Sequence, residues 1–579
     1  MKNKPLYDVR PISNLKEMLE SSTTLFSDKS AFWVKKSEEA EYSPVSYKEF
    51  KADVDYIGTA LCNAGLKGKR IALMGENRYE WAVSYLAIVN GTGIAVPIDK
   101  ELPENEVENL LIRSSASAVI YSGKNAKTIE NISARNNNIV LYINMDLQES
   151  SERFESFSHF RKKGAVSLDS GNTDFIQAKI DNNALSMLLF TSATTSESKA
   201  VMLSHTNICA NLTAMCSMLN IESSDIFLSI LPIHHAYECT CGFLCPIYRG
   251  ASIAHFEGLR HIPKNLKESR ATVVLGVPLI FETMYKKIID HASQMPGGLF
   301  KLKFGCALSD FLRLFGINIT GKLFAAIHDT LGGHVRLLIS GAAAIDPKVS
   351  KAFRSFGFGF LQGYGLTECS PIVALNRDVD FKDDAAGLPL PGLKVAIDEK
   401  NADGIGEIIV KGPSIMSGYY ENDKANAAAF KNGWFHTGDL GYLDKDNFLH
   451  ITGRKKNVIV TRNGKNIFPE EIETMLNRGT YIKESLVYGK HDPASSNQDD
   501  FIITAAIVPD MEKIAEEFNS EEINDDFIKK LIKTHVKTVN GNLVSYKHIK
   551  DIVIRENEFA KTTTKKIKRY METQKEGDE

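Results

Sequence analysis

Short apolar runs rich in β-branched residues alternate with helix-length segments along most of the chain. The clearest runs are 70–74, 93–98, 118–121, 139–143, 187–190, 226–231, 272–275 and 335–339. Runs of this length predict strands, and the longer segments between them predict helices. Strands that alternate with helices form largely parallel sheets, so the pattern predicts an α/β architecture.

Two tight turns predict antiparallel additions to this architecture. The predicted hairpins are 394–398 with 407–411 around Asp403-Gly404, and 457–461 with 465–468 around Asn463-Gly464. Asp-Gly and Asn-Gly favour the turns that join antiparallel strands. Pro469-Glu470-Glu471 then predicts a helix start, because proline suits the first turn and acids face the positive end of the helix dipole.

The chain has 579 residues, which is too long for one ordinary hydrophobic core. The sequence pattern changes after a polar turn at 444–447, where short strand-like runs and a helix start follow. The remaining C-terminal segment is long enough for a small α/β domain. We therefore predict an N-terminal domain at 1–453 and a C-terminal domain at 454–579. The boundary falls at Arg454-Lys455-Lys456.

Composition narrows the functional classes. Apolar residues make up 43% and charged residues 24%, with a net charge of -3, as in a near-neutral globular protein. This balance argues against nucleic-acid binding, which favours a strongly basic face. Residues 1–20 lack the apolar stretch of a signal peptide, and no apolar run reaches the roughly 18 residues of a membrane span.

The eight cysteines are spread along the chain, which favours reduced thiols in a cytoplasmic protein over a disulfide framework. Cys239, Cys241 and Cys245 are close in sequence, yet they lack the paired Cys-x-x-Cys spacing of zinc sites. We interpret them as core residues.

The segment 190–199 (FTSATTSESK) carries the first candidate chemistry. An apolar strand leads into a segment rich in hydroxyl side chains and then Lys199. Hydroxyls and backbone N–H groups can surround phosphate oxygens, and an ammonium adds positive charge. The segment lacks the glycine spacing of the common nucleotide P-loop, and taken alone it fits a solvated loop equally well.

Further segments follow in a fixed order: 231–238 (LPIHHAYE), 362–368 (QGYGLTE), 434–439 (WFHTGD), 453–456 (GRKK) and 561–569 (KTTTKKIKR). Together with 190–199, their order and intervals resemble the signature motifs of the adenylate-forming (AMP-binding) superfamily. The segment 75–81 (GENRYEW) resembles the long-chain fatty acyl-CoA synthetase branch. The resemblance spans about Leu73 to Arg569.

The resemblance implies a fold and an activity. The expected fold is a large N-terminal domain of several subdomains, with mixed and parallel sheets and a small β-barrel-like part, followed by a small mobile C-terminal α/β domain. The expected activity is ATP-dependent ligation of a medium- to long-chain fatty acid to coenzyme A through an acyl-adenylate. ATP, Mg²⁺ and coenzyme A are the implied cofactors and substrates.

The resemblance also implies a role for each matching residue. The residues expected to bind the nucleotide are Thr191, Ser192, Thr194, Thr195 and Lys199 at the β- and γ-phosphates, Gly341, Ala342 and Tyr364 at the adenine, and Asp439 and Arg454 at the ribose. Thr367 would contact the α-phosphate, and Glu368 would hold Mg²⁺, a cation suited to one or two carboxylates. His235 would lie near the carboxylate and acyl pocket.

Lys566 is expected to be the catalytic lysine of the first half-reaction. In the family the small domain rotates between the two half-reactions, and Lys456 matches the hinge. The loop 463–466 would then replace Lys566 at the site.

Two positions depart from the family pattern. Ala193 and Ser196 stand where the phosphate loop usually has glycine. A Cβ at a position with positive φ costs on the order of 1–2 kcal/mol, so ATP binding could be weakened. A catalytically weakened nucleotide or acyl-CoA sensor therefore remains an alternative, and Ala193→Gly is expected to raise kcat/KM for ATP.

An acyl-acyl carrier protein ligase would share every motif, so a carrier protein is an alternative acceptor. Apolar residues with cationic edges between Ala292 and Gly333 could rest on an anionic bilayer as a peripheral contact. We favour the interpretation in which this face packs on the main domain.

Overall fold

The computed structural model describes residues 4–37, 39–191, 198–460, 465–491, 501–518, 523–562, 566–569 and 572. Strands and helices alternate along most of these residues, as the apolar pattern predicts. Ser192, Thr194 and Thr195, with Ala193 and Ser196, lie outside the described residues.

The strands are β1 (Ser30–Val34), β2 (Ser43–Ser46), β3 (Arg70–Met74), β4 (Ile94–Ile98), β5 (Ala118–Tyr121), β6 (Leu141–Asn144), β7 (Phe154–Ser156), β8 (Leu185–Thr191), β9 (Lys199–Ser204), β10 (Ile226–Ser229), β11 (Ser252–His255), β12 (Val273–Gly276), β13 (Leu337–Ser340), β14 (Gly359–Gly365), β15 (Ile372–Leu375), β16 (Leu388–Pro389), β17 (Lys394–Asp398), β18 (Gly406–Lys411), β19 (Gly418–Tyr419), β20 (Phe430–Lys431), β21 (Trp434–Leu443), β22 (Leu449–Arg454), β23 (Ile459–Val460), β24 (Asn466–Ile467), β25 (Ile482–His491), β26 (Phe501–Pro509) and β27 (Ile549–Ile554).

The α-helices are α1 (Leu15–Phe26), α2 (Tyr47–Asn63), α3 (Tyr79–Ala87), α4 (Glu104–Arg113), α5 (Ala126–Ser133), α6 (Phe157–Asp169), α7 (His205–Cys216), α8 (Cys245–Arg249), α9 (Ile262–Ser269), α10 (Pro278–Gln294), α11 (Gly298–Arg313), α12 (Thr320–Leu323), α13 (Ala325–Thr330), α14 (Pro347–Ser355), α15 (Asp423–Ala429), α16 (Pro469–Leu476), α17 (Met511–Glu517) and α18 (Asp525–Asn540).

Two large sheets form the body of the N-terminal domain. One has the strand order β16-β15-β14-β13-β12-β10-β11-β1-β2, and the other has the order β19-β9-β8-β4-β3-β5-β6-β7. Their central strands pair in parallel, while β9 and β15 add antiparallel strands next to the predicted site. One extensive core packs both sheets, which fixes the carboxyl ends of their strands relative to each other.

A third, antiparallel sheet completes the N-terminal domain. It joins β17, β18, β21 and β20 in that order, with β22 along the other edge of β21. The pairing of β17 with β18 confirms the hairpin predicted at Asp403-Gly404, where Gly404 has the positive φ of +77° that such a turn favours. The last strand, β22, ends at Arg454, where the sequence division places the domain boundary.

The C-terminal part has its own sheet and its own core. Strands β25 and β26 pair antiparallel, β27 lies parallel to β26, and buried aliphatic side chains of α16 and α18 pack against them. Pro469 begins α16 with Glu470 and Glu471 in its first turn, as predicted. A separate core of this kind is what distinguishes a small domain from an extension of the large one.

The prediction that the apolar face of residues 292–333 packs on the main domain is wrong. Helix α11 buries Gly298, Gly305 and Ser309 instead, and it leaves Phe300 75% exposed. Small residues permit close approach to the neighbouring helices, and the phenylalanine side chains of α11 are left exposed. No helix among the described residues combines the length and the apolarity that a bilayer span needs.

Candidate functional site

One cleft collects the predicted residues. It has a volume of about 1810 Å³ and takes its walls from both domains. The predicted residues that line it are Thr191, Lys199, His235, Gly341, Ala342, Tyr364, Thr367, Glu368, Asp439, Arg454, Lys456 and Lys566. These residues span 375 positions of the sequence, and each predicted residue within the described part of the chain is among them.

Asp439 is held from two sides. The Tyr364 hydroxyl on β14 donates to Oδ2 at 2.7 Å, and Arg454 Nε lies 2.9 Å from Oδ1. Asp439 on β21 and Arg454 on β22 are cross-strand partners, so the sheet itself sets this contact. The arrangement leaves a buried carboxylate that can accept hydrogen bonds from a diol.

Glu368 and Lys199 meet at Tyr419. The Tyr419 hydroxyl donates to Glu368 Oε1 at 2.8 Å, and Lys199 Nζ lies 4.6 Å from the centre of the same ring. Strand β19 carries Tyr419 and pairs with β9, which begins at Lys199. A carboxylate and an ammonium are thus fixed on one wall of the cleft, with Thr367 next to Glu368.

Thr191 and Lys199 are opposite each other at the end of the β8–β9 pair where the chain passes from one strand to the next. The Thr191 hydroxyl donates to the carbonyl of Lys199 at 3.3 Å. Residues 192–197 between them lie outside the described residues, while Thr191 and Lys199 themselves line the cleft.

Gly341 and Ala342 follow β13 directly. A Cβ on Gly341 would stand 2.7 Å from the Tyr237 ring, so a larger residue would displace that ring. Ala342 has a φ of +72°, which costs a non-glycine residue on the order of 1–2 kcal/mol. Such strain is often found where backbone must be presented to a ligand.

Lys566 reaches the cleft from the C-terminal domain. A turn fixes it, because Thr562 N–H donates to the Lys566 carbonyl at 2.8 Å. Solvent in the cleft still reaches the side chain, yet surrounding protein disfavours its charge, and Arg454 adds repulsion. These effects lower the pKa of Lys566 to about 8, although Asp439 opposes them.

His235 lies in the same part of the cleft. Burial lowers its pKa to about 3, and the neighbouring His234 and Lys566 contribute to the shift, while Asp99 opposes it. The two imidazole rings are 4.1 Å apart. His235 is therefore neutral at physiological pH and can take part in hydrogen bonds without adding charge beside a carboxylate.

A network around Asn77 fixes the turn that carries His235. Asn77 Nδ2 donates to Ser229 Oγ at 2.8 Å and to the Leu231 carbonyl at 2.6 Å, and Ile233 N–H donates to Asn77 Oδ1. Ser229 Oγ in turn donates to Glu238 Oε1. Burial raises the pKa of Glu238 to about 8, which favours a neutral acid at pH 7.

The cleft also has an apolar part. Its walls come from α7, α8, the central strands of the first sheet and a π-helix at Glu238–Leu244. The apolar lining residues are Met215, Cys216, Leu219, Ile221, Phe227, Ala236, Cys241, Cys245, Leu275 and Ile339. Within the described part of the chain, no group of three or more potential metal ligands occurs, and these cysteines contribute apolar surface.

Ion pairs fasten the C-terminal domain beside the cleft. Arg478 contacts both oxygens of Asp346, with Nε at 2.7 Å and Nη2 at 3.1 Å. Asp346 is also the N-cap of α14, since its Oδ1 accepts from Lys348 N–H. A second pair joins Lys286 of α10 to Asp510 at 3.0 Å. Lys456, the predicted hinge residue, lies exposed at the cleft edge.

Sequence reasoning missed Tyr419 and Arg478 at this site, and it quoted Tyr237 within 231–238 without giving it a role. Each of the three reaches the cleft through tertiary packing. The segment 75–81 was noted only for its resemblance to the family. The structural role of Asn77 could not be predicted, because its hydrogen bonds join residues more than 150 positions apart in the sequence.

Comparisons with known proteins agree with this geometry. The model of the family described as AMP-binding enzyme matches residues 19–420. Long-chain-fatty-acid–CoA ligase 5 of Rattus norvegicus is 29% identical over 564 residues, which cover 90% of this chain and 80% of the relative.

Solved structures share the fold. The anthranilate CoA ligase AuaEII in complex with anthranoyl-AMP superposes with a TM-score of 0.75 at 20% identity, covering 99% of both chains. O-succinylbenzoate coenzyme A synthetase (MenE) of Bacillus subtilis, in complex with ATP and magnesium ion, gives a TM-score of 0.70 at 20% identity, covering 96% of this chain and 98% of that one.

Proposed function

The chain belongs to the AMP-binding enzyme family, and on that premise we propose that it ligates a fatty acid to coenzyme A at the expense of ATP. The acid is first converted to an acyl-adenylate and then to a thioester. The observation that carries the proposal is the position of Lys566, which the small domain brings into a cleft that also holds Lys199, Glu368 and Asp439.

The first half-reaction joins an acid to AMP. A carboxylate oxygen attacks the α-phosphorus of ATP, and the bond to the β-phosphate oxygen breaks as pyrophosphate leaves. Both reactants are anionic, so cationic groups must offset charge before they approach. Lys566 would bridge the carboxylate and the α-phosphate, while Lys199 and Thr191 would hold the outgoing phosphates.

The remaining polar residues would bind the nucleotide. Tyr364 would stack on the adenine beside the Gly341-Ala342 backbone, and Asp439 with Arg454 would hold the ribose. Thr367 would contact the α-phosphate. The predicted roles of Ser192, Thr194 and Thr195 at the phosphates belong to the same proposal.

The donor set also suits Mg²⁺. Glu368 offers one carboxylate on the cleft wall, and this cation favours one or two carboxylates completed by phosphate oxygens and water. When bound there, Mg²⁺ would neutralise part of the phosphate charge.

The second half-reaction forms the thioester. The coenzyme A thiol attacks the acyl carbonyl, AMP departs, and the thiol proton is released. We propose that the domains at 1–453 and 454–579 rotate about Lys456 between the two steps, because Lys566 would otherwise stand where the thiol must enter. The loop 463–466 would replace it.

The apolar part of the cleft supports a fatty acid as the substrate. The side chains of this part, which include Ala236 next to His235 in sequence, carry no charge. Long-chain relatives agree with this assignment, and an acyl carrier protein remains the alternative acceptor. Peripheral contact with a membrane belongs to the proposal as well, since long acyl chains partition into lipid.

Pyrophosphate exchange and thioester formation test the proposal separately. We expect exchange that depends on the acid, over a panel from acetate to oleate, and thioester only when coenzyme A is added. Lys566→Met should abolish exchange. Absence of any acid-dependent pyrophosphate release from the native protein would favour the sensor alternative, and preference for a holo-carrier protein would identify the other acceptor.

A further inference from the structure

Exposed apolar side chains concentrate on one segment of the surface. Nine of the 23 large hydrophobic side chains that are strongly exposed in the described residues lie within 295–323. Phe300, Phe304, Phe311 and Phe315 are among them, with exposures of 75%, 60%, 56% and 67%. We name these four residues the aromatic face. Such a concentration on a protein surface marks an interaction site.

The aromatic face is ordered along helix α11. At about 100° per residue, Phe300, Phe304 and Phe311 fall within about 40° of one another around the helix axis. Phe300 and Phe304 stack with ring centroids 6.3 Å apart, and Phe311 and Phe315 meet edge-on at 5.2 Å. The buried residues lie on the opposite side of α11, so the aromatic face points away from the domain.

Cationic residues border the aromatic face. On the same helical arithmetic, Lys301 and Lys303 lie about 80° to either side of its middle. Residues 295–324 carry Lys301, Lys303, Arg313 and Lys322 against a single acid, giving +3 within a chain whose net charge is -3. That acid, Asp310, accepts a hydrogen bond from Ser355 Oγ at 2.8 Å and is turned toward the domain.

The exposed aromatic rings and the neighbouring positive charges indicate which kind of partner this surface binds. Long lysine stems can lie along apolar material while their ammonium groups reach polar headgroups. A second copy of the same face would bring like charges together, which disfavours self-association. An apolar stripe with cationic edges matches the boundary between acyl chains and anionic headgroups.

We propose that the aromatic face of α11 docks on an anionic lipid surface, with the phenylalanine rings in the acyl boundary and Lys301 and Lys303 on the headgroups. Helix α10, which packs against α11, carries Lys286 and so also contacts the C-terminal domain. The docked enzyme would therefore hold its small domain one helix away from the bilayer.

Vesicle flotation of the full chain tests the proposal without ATP or acid, so its outcome is independent of the proposed enzyme activity. Vesicles of phosphatidylcholine alone are compared with vesicles that also contain phosphatidylglycerol, at low and high salt. We expect binding to the anionic vesicles that weakens with salt, because part of the attraction is electrostatic. Failure of the native protein to float at low salt would overturn the proposal.

Matched variants locate the contact. The triple variant Phe300→Ser, Phe304→Ser, Phe311→Ser should lower partitioning by about tenfold or more, whereas Leu25→Ser, Val140→Ser, Val166→Ser should not, although those side chains are equally exposed. Lys301→Glu with Lys303→Glu should remove the preference for anionic vesicles, in contrast to Lys529→Glu with Lys533→Glu on α18.

Folding and self-association are checked on the same samples. Thermal unfolding should be similar for all variants, because every altered side chain is exposed. Equal flotation of the phenylalanine variant and the native chain would contradict the assignment. A dimer in sedimentation velocity that the phenylalanine variant abolishes would show that a second copy covers this face, which would also overturn the proposal.

Discussion

Tyr364 donates its hydroxyl proton to Asp439 at 2.7 Å, and the two residues come from different sheets of the N-terminal domain. The contact orients the carboxylate while leaving the tyrosine ring free to stack. We expect Tyr364→Phe to weaken ATP binding only about threefold, because it removes one hydrogen bond. Asp439→Ala removes the ribose acceptor itself, so a loss of about 30-fold or more is expected.

Equilibrium binding of ATP, without acid, measures both effects. Glu399→Ala serves as control, because that acid is exposed and does not line the cleft. Equal losses for Tyr364→Phe and Asp439→Ala would mean that Asp439 does not bind the ribose directly.

Lys566 predicts the pH dependence of adenylation. Its pKa of about 8 lies below the usual 10.5, so the free enzyme loses this charge as pH rises through about 8. Because kcat/KM reports the free enzyme, kcat/KM for ATP should fall above that pH. Lys566→Arg should retain charge and move the alkaline limb upward, even if the maximal rate falls. An unchanged limb in Lys566→Arg would assign it to another group.

The hinge can be tested at Lys456. Proline fixes φ near -65°, so Lys456→Pro should hinder rotation of the small domain. We expect thioester formation to fall at least about tenfold more than pyrophosphate exchange, because only the second step needs the rotated arrangement. Lys455→Ala is the control for losing a charge at the neighbouring position. Equal loss in both half-reactions would place the hinge elsewhere.

The pair formed by Arg478 and Asp346 ties the small domain to α14 while Lys566 occupies the cleft. Breaking it should release that arrangement. We expect Arg478→Ala to slow adenylate formation several-fold and to leave thioester formation unchanged or faster in single-turnover assays. Lys490→Ala breaks an ion pair within the small domain and should affect neither step. Similar slowing of both steps would indicate a merely structural pair.

Glu238 predicts a pH-dependent stability. Its folded pKa of about 8 lies above the usual 4.5, so the unfolded chain releases this proton more readily. The stabilising contribution is present below about pH 4.5 and is lost as pH rises toward 8, on the order of 5 kcal/mol in total. Denaturant unfolding at pH 5 and pH 8 should therefore show a smaller pH effect in Glu238→Gln than in the native protein or in Glu20→Gln. An identical pH effect in all three would show that Glu238 is ionised throughout.

The architecture was predictable where local pattern and tertiary environment coincide. The runs 70–74 and 118–121 match β3 and β5 because both strands are buried in the middle of a parallel sheet. The run 226–231 ends earlier, at Ser229, because Asn77 binds the Leu231 carbonyl and turns the chain out of the sheet. That hydrogen bond depends on a distant residue and leaves no local signal.

In the candidate site, too, residues with a local sequence signal were predictable and residues placed by distant contacts were not. Ordered motifs predicted Glu368, Asp439 and Lys566, whereas Tyr419 became apparent only from its contact with Glu368. The exposed face of α11 was misjudged because an amphipathic pattern does not tell which side faces the protein. Gly305 and Ser309 determine that side by allowing close packing.

Tyr237 affects the binding of both the acid and the nucleotide. One edge of its ring lies behind Gly341, and the same side chain also lines the cleft next to the apolar part. A smaller residue at 237 would admit a bulkier acid but would leave a void behind the backbone next to Tyr364. Substitutions at position 237 that change the acid preference are therefore expected to alter the affinity for the nucleotide as well. Changes in the preferred acyl-chain length should instead occur elsewhere in the cavity, at positions such as Met215 or Leu219.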